Sequence, residues 1–298
     1  MSNIKKNSYS PFQIFLDKFF ANYIAVFGLV CCVILILIAI FANFISPQNP
    51  YDLMQLNILE GRLPPGSTNM DNTLIFYLGT DDQGRDILSA IFYGLRTSFI
   101  VAINSAALAL IIGCSLGLFS AYIGGRFDDL VMRIVDIQLS FPPVLIALIF
   151  LALFGQGVDK IILALIITQW AYYARTIRAT CIVEQNKEYV EAAKCLQLTR
   201  FRILFIHILP NCMPPLIIVV TMRIAYSIML EATLSFLGLG LPITEPSLGL
   251  LIANGFEYML SGKYWLSFFP GIALLITIVS INLVGDHLRD ILNPRLER

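Results

Sequence analysis

The chain is short of the residues that carry most catalytic and metal chemistry. It has only two histidines in 298 residues, His207 and His287. No cluster of histidine, cysteine and carboxylate at metal-ligand spacing accompanies them, and no nucleophile–base arrangement or haem ligand pair is evident. No catalytic residue, metal ligand or bound cofactor is therefore expected of this chain. A G-x-x-x-x-G-K-[ST] phosphate loop is also missing, which excludes cradling a nucleoside triphosphate in that way. Charge is scarce as well, at 13% of residues, and twenty Lys plus Arg balance twenty Asp plus Glu. Bulk electrostatics therefore point to neither nucleic acid nor an acidic partner.

Cysteine is present but badly placed for disulfides. Cys31, Cys32, Cys114, Cys181, Cys195 and Cys212 fall in apolar runs or in the loops between them, and none lies in the long segment 47–97. No disulfide framework is expected, and the adjacent Cys31-Cys32 pair reads as small core residues.

What the chain does have is apolar length. Hydrophobic residues make up 57%, mean hydropathy is +0.77, and the uncharged runs approach the ~20 residues that cross a bilayer. The expected fold is an all-α integral membrane protein with six transmembrane helices, near 24–46, 98–122, 135–154, 158–176, 212–237 and 265–285. The fourth has the weakest basis. Its uncharged core, 161–174, spans only about 21 Å of a ~30 Å hydrocarbon layer, so Lys160 and Arg175 would have to snorkel. The first run is too long for a signal-peptide core and lacks a small-residue cleavage site, so it reads as a retained anchor.

Six spans put both termini on one side. That side carries fourteen basic residues (Lys5, Lys6, Lys18, Arg126, Arg133, Arg175, Arg178, Lys187, Lys194, Arg200, Arg202, Arg289, Arg295 and Arg298), against Arg62, Arg85, Arg96, Lys160 and Lys263 opposite. Both termini are expected in the cytoplasm of a bacterial cell, with the chain in the inner membrane.

Along the chain, a short interfacial helix is expected over 11–20. After the anchor, the external segment 47–97 is too long for a plain connection. Its Asp81, Asp82 and Asp86 lack calcium-loop spacing and suit turns and caps. Apolar residues at 87, 88, 91, 92 and 95 predict an amphipathic helix lying on the outer interface before helix two. Gly124-Gly125, Pro142-Pro143 and Pro214-Pro215 break the middle of the molecule, as packing kinks or beside a pathway.

Arg223 and Glu231 are the charges within an apolar helix. Eight residues separate them, about 12 Å along the axis and about 80° around it, too far for a direct pair. Each needs another partner, and both are candidates for a substrate path or gate; an interhelical structural bond is equally economical. The most informative stretch runs from Glu188 to Asn211: a charged helix, a turn signal around 197–200, a second helical run and an expected stop at Pro210. It predicts a helical hairpin at the membrane surface.

Four segments now stand in order: Leu78-Gly-Thr-Asp-Asp-Gln-Gly-Arg-Asp86; Tyr189-Val-Glu-Ala-Ala193 with Ile208-Leu-Pro-Asn211; Glu231-Ala-Thr-Leu-Ser-Phe-Leu-Gly-Leu-Gly240; and Gly285-Asp-His-Leu-Arg-Asp290 through Asn293-Pro-Arg295. Together they resemble the permease subunits of binding-protein-dependent ABC importers, specifically the second permease of the dipeptide/oligopeptide/nickel family.

The resemblance implies a type I importer permease fold, with an anchor and external segment over 1–96, a core domain over 97–286 and a cytoplasmic tail over 287–298. It implies that a coupling helix within about 184–210 docks on a cytoplasmic ATPase through Glu191, Ala192, Ala193 and Gln197. Partners implied are a second homologous permease, two ATP-binding-cassette ATPases that use the ATP, and an extracytoplasmic binding protein. Peptides are the implied cargo, with nickel, haem or another small solute as alternatives; a stand-alone secondary transporter is the alternative of a different class. Three positions depart from the pattern: Gln197 for Gly, Leu248 for Trp and Asn293 for Asp. A non-Gly residue at positive φ costs ~1–2 kcal/mol, so Gln197 predicts a wider turn.

Overall fold

A computed structural model describes residues 11–52, 54, 56–242 and 244–292. Lys5, Lys6, Arg295 and Arg298 of the orientation argument, and Asn293-Pro-Arg295 of the tail, lie outside the described residues.

The fold is helical, built from α1 (Pro11–Phe20) to α12 (Trp265–Leu292). Asn22 ends α1 and starts α2 (Tyr23–Ile40), its side-chain oxygen accepting the N–H groups of Ile24 and Ala25. This satisfies donors that the first helical turn leaves open. Large apolar residues cover the outer surface of α2, with Tyr23, Phe27 and Val33 all exposed, as a helix that faces lipid requires. A break at Phe41 and a single turn, α3 (Ala42–Ile45), lead into the outer segment. There a small hairpin pairs β1 (Ser67–Thr68) with β2 (Ile75–Phe76), Ser67 opposite Phe76.

Asp86 closes that segment as the cap of α4 (Ile87–Ile123), accepting from the backbone and hydroxyl of Ser89 at 2.8 and 2.6 Å. Asp81 bonds the N–H groups of Gln83 and Arg85 and pairs with the Arg85 side chain at 2.6 Å. Turn and cap work thus occupies both carboxylates. The interfacial helix expected over 87–95 is not there. α4 is one continuous run of 37 residues, about 55 Å, and Ile87, Ala90, Ile91 and Leu95 are buried among α2, α10, α11 and α12. The helical period was read correctly, but the face it buries packs on protein and not on headgroups.

The expected third span is two helices. α5 (Gly125–Ser140) and α6 (Pro143–Phe154) meet at about 90° across Phe141-Pro142. The cause is local: proline bars the α conformation at the residue before it, and a second proline starts α6 where a missing N–H costs nothing. α6 alone is about 18 Å long, too short to cross. α5 is held to α7 (Val158–Gln185) by polar ties, with Arg178 forked onto Asp128 at 2.5 Å, Arg175 on Asp136 and Gln138 on the Ile167 carbonyl.

Among the described residues, four helices are long and apolar enough to cross a membrane: α2, α4, the run Arg200–Phe236 and α12; the bent α5–α6 pair makes five. α7 is long enough, at 28 residues, but Lys160 in its first turn and Arg175 past its midpoint confine its uncharged stretch to 161–174. Six spans therefore exceed what helix length and composition supply.

The core is centred on α4 against α7, the most extensive helix pair. Gly113 and Gly117 make it possible. A Cβ on Gly113 would meet Ala174 N at 3.0 Å, and one on Gly117 would meet Ala174 Cα at 2.8 Å. Small residues four apart let two membrane helices touch backbone to backbone.

Candidate functional site

The stretch from Glu188 to Asn211 forms the hairpin the sequence promised, with a different second arm. α8 (Glu188–Cys195) turns at Leu196–Leu198 into the short α9 (Arg200–Arg202), which runs through a π-helical segment, Ile203–Ile208, into α10 (Leu209–Phe236). Pro210 does not stop the helix. Its ring would clash with the carbonyl four residues back in a regular helix, and the wider π turn relieves this: Leu209 N–H bonds Leu204 O, five residues back. The hairpin is thereby continuous with a membrane helix.

The turn is not widened either. Leu198 N–H reaches Ala193 O at 3.2 Å, and Gln197 N–H reaches Lys194 O at 2.9 Å, the two bonds of a Schellman cap. Gln197 sits at φ 55°, the left-handed position that glycine fills at least cost. The chain keeps the ordinary turn and carries the strain.

α8 has two faces. Val190 and Ala193 are buried and belong to one apolar cluster with Tyr173, Ile177, Cys181, Ile203, Leu204 and Cys212. Glu191, Ala192 and Cys195 point outward, joined by Leu196 and Phe201, which are 75% and 69% exposed. Of the four expected docking residues, Glu191, Ala192 and Gln197 are thus on the outer face. Ala193 is on the inner one, where its small size lets α8 lie close to the π segment.

A polar clamp, missed by the sequence reading, holds the hairpin's base. Glu184 at the end of α7 is buried and accepts from Lys187 Nζ and Tyr189 Oη, both at 2.7 Å. Asn211 Nδ2 reaches Tyr189 Oη at 3.3 Å and His207 O at 2.7 Å. Burial and the neighbouring Glu184 carboxylate push the Tyr189 phenol up to about 12, so it stays a neutral donor. Tyr189 and Asn211 were visible as matching letters; their bond to each other across 22 residues of chain, and that of Tyr189 to Glu184, left no periodic signal.

The two intramembrane charges behave differently. Glu231 is fully buried. Ser98 of α4 and Ser235 bond its two oxygens at 2.9 and 2.8 Å, and Ser247, which caps α11 (Leu248–Phe256), also bonds it. It ties α4, α10 and α11 together from inside. Arg223 is half-exposed, its Cζ 3.4 Å from the Tyr172 ring centre on α7 and 5.3 Å from that of Tyr226. Beside it, Gln169 Nε2 donates to Ser227 Oγ at 2.8 Å. The sequence reading thus grouped two residues that the structure places differently: Glu231 is buried in a serine-bonded tie, and Arg223 is half-exposed against two tyrosines.

The arrangement is a helical body, long and apolar enough in several helices to cross a membrane, with a short helical hairpin exposed on one of its surfaces. Residues 113–298 match the family model described as binding-protein-dependent transport system inner membrane component. Residues 10–65 match the N-terminal TM domain of oligopeptide transport permease C. The chain is 39% identical over 289 residues to the dipeptide transport system permease protein DppC of Escherichia coli (strain K12), covering 97% of this chain and 95% of that one. It is 34% identical to the di/tripeptide transport system permease protein DppC of Pseudomonas aeruginosa (strain UCBPP-PA14), covering 97% and 93%. Among solved structures, the MetNI methionine ABC transporter in an inward-facing conformation shares the fold at a TM-score of 0.57 and 18% identity, over 70% of this chain and 98% of that one. The chain belongs to the family of binding-protein-dependent transport system inner membrane components.

Proposed function

We propose that the chain is one of two permease halves in an ATP-driven importer of peptides, crossing the inner membrane six times with both termini in the cytoplasm. The sixth span would be the first part of α7, with Lys160 and Arg175 snorkelling to the headgroups. Peptide cargo is supported by relatives named for dipeptide and di/tripeptide transport. A second permease completes the path, two ATPases supply ATP hydrolysis and a binding protein delivers cargo from outside.

The observation that carries this reading is the outer face of the hairpin. Glu191 and Ala192 on α8, Leu196 at its end and Phe201 on α9 are all exposed, giving the hairpin a charge, a small residue and two large apolar groups on its outside, which suits insertion into a cleft of another protein. The geometry also supplies a transmission. α8 is clamped to α7 through Glu184 and packed on the π segment that continues as α10. A push on α8 by a closing ATPase therefore moves α7 and α10 together, which can exchange inward-facing and outward-facing states.

Reconstitution tests it. In proteoliposomes holding both permeases, the ATPases and the binding protein, dipeptide uptake should require ATP. The isolated chain should neither hydrolyse ATP above a mock preparation nor accumulate peptide. Uptake by the chain alone, driven by an ion gradient, would establish a secondary transporter instead.

A further inference from the structure

A groove of about 510 Å³ starts at the hairpin end of the membrane body, at Glu184 and Asn211, and climbs between α7 and α10 past Thr180, Thr176 and Val219. Thr176 lies one turn from Tyr172, whose carbonyl it bonds at 2.9 Å, and Val219 lies one turn from Arg223. Residues four apart share a helix face, so Tyr172 and Arg223 stand at the head of the groove, halfway along α7 and α10. Its wall is mainly apolar, with Pro214, Pro215 and Ile218, and Thr176, Thr180, Glu184, Asn211 and Arg289 supply the polar groups.

Arg289 of α12 lines the groove itself, and Arg223 is the cation at its head, one turn beyond Val219. Among the described residues no carboxylate lies within ion-pair distance of it, and Glu231, the one acid in the same helix, is already bonded by serines. Tyr172 covers the guanidinium face at 3.4 Å. Stacking uses only that face; the N–H donors lie in the plane and point outward, in the fork that matches a carboxylate. An intramembrane arginine without an anion is costly unless it lines a wet cavity or meets one in function.

We propose that Arg223, held between Tyr172 and Tyr226 at the head of this groove, binds the terminal carboxylate of a peptide in transit. The inference rests on the peptide-importer reading above. The C-terminal carboxylate is the one anion common to all free peptides whatever their side chains, so a single stacked arginine serves a path that must pass many sequences. A charge-assisted fork in a partly dehydrated groove is strong enough to discriminate about tenfold.

The test uses the complete importer with its binding protein in proteoliposomes, with dialanine and dialanine amide as probes. The affinity of the binding protein for each probe is measured separately and divided out. Wild type is expected to favour the free acid by about tenfold beyond the binding protein's own preference. Arg223→Gln should abolish this excess, and Arg223→Lys, which keeps the charge without the fork, should retain part of it. An unchanged excess in Arg223→Gln overturns the proposal. So does an equal loss for both probes in both variants, which would make Arg223 an assembly contact, for instance with a carboxylate of the second permease. If wild type moves neither probe while its ATPases turn over, the peptide reading itself fails, and the proposal with it.

Discussion

Gln197 shows how one residue can carry a cost that its fold does not remove. It occupies the left-handed position of a Schellman cap, so Gln197→Gly should stabilise the detergent-purified chain by about 1 kcal/mol. Slower proteolysis across 195–200 would register this, and no change would mean that local bonds already offset the strain. Glu231 makes the opposite case. Glu231→Leu strands buried serine hydroxyls and should lower stability by about 2 kcal/mol, whereas Glu231→Gln keeps the shape and most bonds and should leave uptake within about twofold of wild type. A large loss of uptake in Glu231→Gln at normal stability would return this residue to the path. His287 is tied down by its surroundings as well. Its ring meets Phe19 at 5.3 Å and bonds Asn22 and the Lys18 carbonyl, each at 3.3 Å, locking the last helix to the first.

At the scale of elements, hydrophobic runs located α2, α4, α10 and α12, because long apolar segments in water have no alternative to burial, but α4 begins well before the expected 98 and α12 runs past the expected 285. They could not locate the 90° break between α5 and α6 or the passage through Pro210. Both are set by proline against its local backbone, and whether a proline stops, kinks or widens a helix depends on neighbours distant in sequence. Burial of α4's first turns was hidden for the same reason: an amphipathic period names a face without naming what covers it. The α4–α7 seam was legible only in hindsight as Gly113 and Gly117. Gly117→Leu should separate the two helices at a cost of about 3 kcal/mol. The expected readout is loss of monodisperse, detergent-soluble protein; a well-behaved variant would show that the seam can open without harm.

For the whole molecule, the sequence yielded the membrane class, the hairpin and the family resemblance, while span number rests on α7, where composition is ambiguous. Single cysteines in a cysteine-free background address it. Asn69 should label from outside and Asn186 only after permeabilisation; external labelling of Asn186 would contradict the six-span arrangement. The central claim is that the outer face of α8 is where an ATPase docks. Cys195 lies on that face and is exposed, whereas Cys181 and Cys212 are buried. A chain retaining only Cys195 can therefore be treated with a bulky maleimide in the presence and absence of the ATPase partners. The expected result is protection of Cys195 in the assembled complex, together with failure of the pre-labelled chain to bind ATPase. Equal labelling in both states, with normal assembly of the labelled chain, would contradict the account.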